Sequence, residues 1–63
     1  MSLPFDPAQV AEYAWMHDRG TVIGVGLTLT GGRIDVIQGA RLTREVKDFV
    51  TSKIGPPDEG THK

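Results

Sequence analysis

The 63-residue chain contains no cysteine, which excludes disulfide staples, thiolate zinc ligands and thiol nucleophiles at once and suits a reducing compartment. Histidine is almost as scarce: His17 and His62 are the only two, and neither has carboxylates or a second imidazole at metal-ligand spacing on a shared helix face. Charge of one sign is missing too. Seven Lys or Arg stand against eight Asp or Glu, a net charge of −1, so no molecule-wide field draws in nucleic acid or an anionic membrane. No stretch approaches the ~20 apolar residues of a membrane span, and MSLPFDPAQV has neither the basic start nor the apolar run of a secretory signal. These absences predict a cytoplasmic, non-catalytic single domain over residues 1–57 with one thin core, followed by a flexible tail at 58–63 that lacks an apolar anchor.

Four elements are expected within that domain. Asp6-Pro7 reads as a helix start, a carboxylate for the orphan amides followed by a ring already at helical φ. Val10, Tyr13, Ala14 and His17 then recur at i, i+3, i+4 and i+7, which predicts a first helix over 7–19 stopped by Gly20. Beyond it the period drops to two: Ile23, Val25, Leu27 and Leu29 alternate with glycine and threonine, and Arg33 to Ile37 resumes the alternation after Gly31-Gly32. A two-residue loop there places Leu29 opposite Ile34, Leu27 opposite Val36 and Thr28 opposite Asp35, with one face wholly aliphatic. Gly39 breaks the second strand. Thr43 caps a second helix with Glu45 in its first turn and Val46, Phe49, Val50 and Ile54 as its apolar stripe, ended by Gly55-Pro56-Pro57. The expected fold class is α+β with αββα order, both helices packed on the hairpin's aliphatic face.

Catalytic chemistry finds little to work with. No nucleophile, base and orienting group can be assembled, His17 reads as a partly buried structural residue on the helix stripe, and no metal or cofactor is implied. Gly24-Val25-Gly26 is not a dinucleotide loop, because strand residues and not a helix follow it. Those glycines instead leave a flat outer strand face that another backbone can approach, or admit a bulge. Trp15 either covers the flank of the first helix or is exposed for contact. Arg33, Arg41, Arg44 and Lys47 form the one cationic cluster, diluted by Asp35, Glu45 and Asp48, and it reads as a solvated face or as a landing site for an acidic peptide.

Residues 25–54, VGLTLTGGRIDVIQGARLTREVKDFVTSKI, carry Val25, Leu27, Leu29, Gly32, Ile34, Val36, Gly39, Leu42, Thr43, Glu45 and Lys53 in the pattern of a V-x-L-x-L-x-G-x-x-L-x-V hairpin, a glycine bend and an L-T-x-E helix start. That half of the chain resembles the TubC-type N-terminal docking domains of non-ribosomal peptide synthetases and polyketide synthases. The resemblance implies an αββα fold and a protein-protein docking role in biosynthesis. In that family the second strand's free edge captures the C-terminal segment of a partner subunit, which would make Arg33, Asp35, Ile37, Gln38, Arg41 and Arg44 the contact set here. Thr21 to Gly24, a lengthened link ahead of the hairpin, and the leucine-poor first helix depart from the pattern. The alternatives carried from the sequence are a small phage or mobile-element protein that binds nucleic acid or regulates a host enzyme, and a homodimer formed through the same edge.

Overall fold

The computed structural model describes residues 3–57, so the tail expected at 58–63, with His62, lies outside the described residues. It corrects the αββα expectation. The described residues form a β-meander with one α-helix: strands β1 (Val10–Asp18), β2 (Thr21–Leu29) and β3 (Ile34–Gln38) form an antiparallel sheet in the order β1-β2-β3, and helix α1 (Arg44–Ile54) follows. The helix start read at Asp6-Pro7 is real but brief. Asp6 accepts from the Ala8 N–H at 3.1 Å and caps a single 3-10 turn, Pro7–Gln9, after which the chain enters β1.

Three features turn the stretch expected as a helix into a strand. Tyr13 and Trp15 alternate with Glu12, Ala14 and Met16, and aromatic residues suit a half-buried pleated surface. Arg19 and Gly20, at φ 54° and 82°, form a two-residue loop of the I′ kind, whose twist matches the strands it joins; Gly20 ends no helix. Finally, β2 is nine residues long and needs a partner on each side, and β1 supplies one along its whole length. Two irregularities, one at Ala11 between Val10 and Glu12 and one at Ile23 opposite the Met16–His17 step, bend that ladder.

The second hairpin forms where expected, shifted by one residue. Thr30, Gly31 and Gly32 make a three-residue loop in which the Gly32 N–H donates to the Leu29 carbonyl at 3.0 Å. Thr28 therefore faces Ile34, Leu27 faces Asp35 and Val25 faces Ile37. With a side-chain period of two, this slip exchanges the faces of all of β3: Ile37 and Asp35 join the helix side, while Ile34 and Val36 turn to the helix-free side.

Helix α1 follows the sequence signals. Thr43 accepts from the Val46 N–H at 3.2 Å, Glu45 occupies the first turn, and Gly55 closes the end. Val46 and Val50 meet Val25, Leu27 and Ile37 in a core of five fully buried side chains. Phe49 is half-buried in an aromatic cluster, 6.1 Å from Phe5 and 5.9 Å from Tyr13 between ring centroids. Trp15 covers the helix end, its indole N–H donating to the Gly55 carbonyl at 2.9 Å. No described helix is long and apolar enough to cross a membrane.

Candidate functional site

A three-stranded meander leaves two free edges, and their backbone polar groups can be assigned from the ladder. Leu29 donates to the Arg33 carbonyl at 2.7 Å, so Arg33, Asp35 and Ile37 turn their N–H and C=O groups toward β2. Ile34, Val36 and Gln38 turn theirs outward. On the opposite side of β2 the same alternation directs Glu12, Ala14 and Met16 inward and leaves those of Tyr13 and Trp15 facing away from the sheet.

The β3 edge is closed at its centre. Asp35 Oδ1 accepts from the Val36 N–H at 2.8 Å, and Arg41 donates to the Val36 carbonyl at 3.3 Å. The two side chains lie 3.9 Å apart, in an exposed ion pair that contributes little by itself but holds both caps in place. A 3-10 turn, Gly39–Arg41, brings Arg41 back over the strand it has just left. Covering an edge with charged side chains is a recurrent means of blocking unwanted strand pairing.

The β1 edge is open. The outward main-chain groups of Tyr13 and Trp15 have no partner among the described residues. Beside that edge runs a groove of about 570 Å³ lined by Pro7, Val10, Ala11, Glu12, Tyr13 and, from the helix end, Lys53 and Ile54. Ile54 is 44% exposed, and Lys53 Nζ stands 5.3 Å from the centroid of the Phe49 ring without an ion pair among the described residues. Burial pushes the Tyr13 phenol above its ordinary pKa by withdrawing solvent from the anionic form.

The residues singled out from the sequence are therefore divided. Ile37 is fully buried and presents neither side chain nor main chain to a partner. Asp35 and Arg41 meet, but as the cap of their own edge. Gln38 lies exposed at the end of β3, and Arg33 and Arg44 are exposed on the flanking loop and the first turn of α1. His17, expected as partly buried, is exposed on β1. No cluster of His, Asp or Glu suited to a metal ion occurs among the described residues. The groove residues Val10, Ala11, Tyr13, Lys53 and Ile54 were not grouped from the sequence; the usable signal was Tyr13-x-Trp15 ahead of Arg19-Gly20, a strand and turn pattern in place of a helix. Comparison of the chain with family models, curated proteins and solved structures finds no match.

Proposed function

We propose that this domain is a non-catalytic docking module that captures an extended C-terminal segment of another protein subunit by strand addition along β1. The observation that carries the reading is the pairing of an uncapped edge at Tyr13 and Trp15 with a groove beside it of mixed character, in which Val10, Tyr13 and Ile54 stand with Glu12 and Lys53. In strand addition the main chain supplies affinity, and pockets for alternate side chains supply selectivity. An incoming strand on β1 would bond to Tyr13 and Trp15 and set an apolar side chain between Val10, Tyr13 and Ile54. An acidic residue next along would meet Lys53, which shares the groove with Glu12 but forms no ion pair among the described residues.

The docking role implied by the synthetase resemblance is kept in this proposal, with the receiving edge moved from β3 to β1. The resemblance rests on residues 25–54 and its first helix is replaced here by β1, so biosynthetic docking is the narrower form of the proposal. A cytoplasmic location, suggested by the lack of cysteine, belongs with it. Nucleic-acid binding is less well supported, because none of the three strands contains a Lys or Arg.

The test uses a synthetic peptide of alternating valine and threonine that ends in a glutamate. Titrated into the domain, it should move the amide resonances of residues 10–15 and 53–54. N-methylation of the peptide amides that face β1 should abolish binding, as should Ile54→Glu, a change at an exposed position that leaves the circular dichroism spectrum intact. Shifts confined to residues 34–41, or binding that survives both changes, would refute β1 as the receiving edge.

A further inference from the structure

β3 carries aliphatic residues on both of its faces. In the observed register it turns Ile37 and the Asp35 carboxylate to the helix side, Asp35 opposite the fully buried Leu27, while Val36 and the 68% exposed Ile34 lie on the helix-free side. A slip of one residue reverses this. With Gly31-Gly32 alone as the loop, Ile34 faces Leu29, Val36 faces Leu27 and Gln38 faces Val25, so two aliphatic side chains enter the core side as Ile37 leaves it. We propose that β3 exchanges between these two registers, and that the minor one uncaps the β3 edge.

Both ends of the strand can accommodate the exchange. Gly31 and Gly32 already have φ of 92° and 86°, and a two-residue I′ loop needs positive φ at both central positions. At the other end the slip draws Gln38 away from α1 by at most ~3.3 Å, one residue of strand. The three residues of the 3-10 turn Gly39–Arg41 rise ~2.0 Å each, and drawing them out to strand spacing releases ~4 Å, enough for α1 to stay in place. Between the ends little pins the register. On the helix-free face β2 sets Gly24 and Gly26 beside Gln38 and Val36, which leaves Thr28 and Ile34 as the one cross-strand pair there with a side chain on each partner.

In the slipped register Ile34, Val36 and Gln38 turn their main-chain groups toward β2, and those of Asp35 and Ile37 face outward. The Val36 N–H and C=O then lie inside the ladder, so neither the Asp35 cap nor the Arg41 cap can form, and unwinding of the 3-10 turn carries Arg41 off the strand. The observed register buries Ile37 fully, keeps Gln38 from facing Val25 and retains both caps, which makes it the major state. The minor register offers a second template for strand addition, and an edge open for only a fraction of the time binds more weakly by that fraction. The exchange is a property of β3 and its two flanking turns and does not depend on docking at β1.

Saturation-transfer NMR on the whole chain should detect a minor state of ~0.1–10% in the amides of residues 30–41, exchanging on the millisecond scale of local opening. Its shifts over residues 34–38 should be those of a strand, because β3 pairs again after it turns over. Ile34→Lys leaves the observed register untouched, since position 34 is largely exposed, but sets an ammonium against Leu29 on the core side of the slipped one. It should abolish the minor state with the melting temperature unchanged. Arg41→Ala should raise the minor population about two- to tenfold by removing the bond to the Val36 carbonyl. Coil-like minor-state shifts, which report fraying, overturn the proposal. So does exchange that persists in Ile34→Lys, or the absence of a minor state from both the wild type and Arg41→Ala.

Discussion

The two outer strands of this sheet are built from similar material and have opposite fates. β3 is short, and its central residue Val36 has both outward main-chain groups occupied by Asp35 and Arg41, side chains within five residues of it. β1 is nine residues long and has a groove along the corresponding side, with the main-chain groups of Tyr13 and Trp15 turned outward. An edge is thus a template or a barrier according to whether nearby side chains can reach its amides and carbonyls. The cationic residues that make β3 resemble a landing site are in part the means by which it is closed.

The severest way to break the comparison is Ile37→Ala. Ile37 pairs with Val25 and is fully buried, so truncation should cost about 2 to 5 kcal/mol in urea unfolding, enough to unfold a domain this small. A loss within ~0.5 kcal/mol, the range usual for surface changes, would mean that the register is the one expected from a two-residue loop and that Ile37 faces solvent.

Asp35→Ala sharpens the comparison by opening the closed edge. Loss of its bond to the Val36 N–H should cost about 0.5 to 1.5 kcal/mol. The valine-threonine peptide should then also shift residues 34–38, which it leaves unmoved in the wild type. If β3 still rejects the peptide, the cap is not what closes it.

Tyr13 reports on the open side. Its phenol is held above the ordinary value of 10.0 by burial, so folding favours the neutral form. The corresponding stability is fully present below pH 10 and is lost as pH rises through the folded value. Thermal melts should fall at alkaline pH in the wild type, and Tyr13→Phe should remove that part of the decline. Identical alkaline slopes in the two proteins would show that the ring is solvated.

The smallest effect is expected from Arg33→Glu with Arg44→Glu. Both side chains are exposed and neither lines the β1 groove, so stability should change by less than ~0.5 kcal/mol and peptide affinity by less than about twofold. A marked loss of affinity, measured by calorimetry, would return the docking site to β3.

The outcome for these arginines shows how legible the site was. Their type and clustering are visible in the sequence, but whether a cation waits for a partner or caps its own strand depends on the turn at Gly39–Arg41, which carries Arg41 back to Val36. The groove was less legible still, because Val10, Tyr13 and Ile54 come together only when β1 lies beside the end of α1. The Tyr13 stripe satisfies both a helical and a strand reading, since an apolar residue at i, i+3 and i+4 and an alternating aromatic pair can share one short segment.

What the sequence determined by itself is local. The Asp6 cap, the Thr43 cap with Glu45 behind it, the end of α1 at Gly55 and the alternation of β2 each depend on residues within one turn or one strand, and each is present. The tertiary structure decided what depends on distant pairing. β1 is a strand because β2 needed a second partner, and β3 slipped by one residue because its loop took up Thr30 along with the two glycines. That one-residue difference buried Ile37, exposed Ile34 and set Asp35 where it could cap Val36. No window along the chain contains this choice, because register is decided between strands and a slip of one changes every face at once.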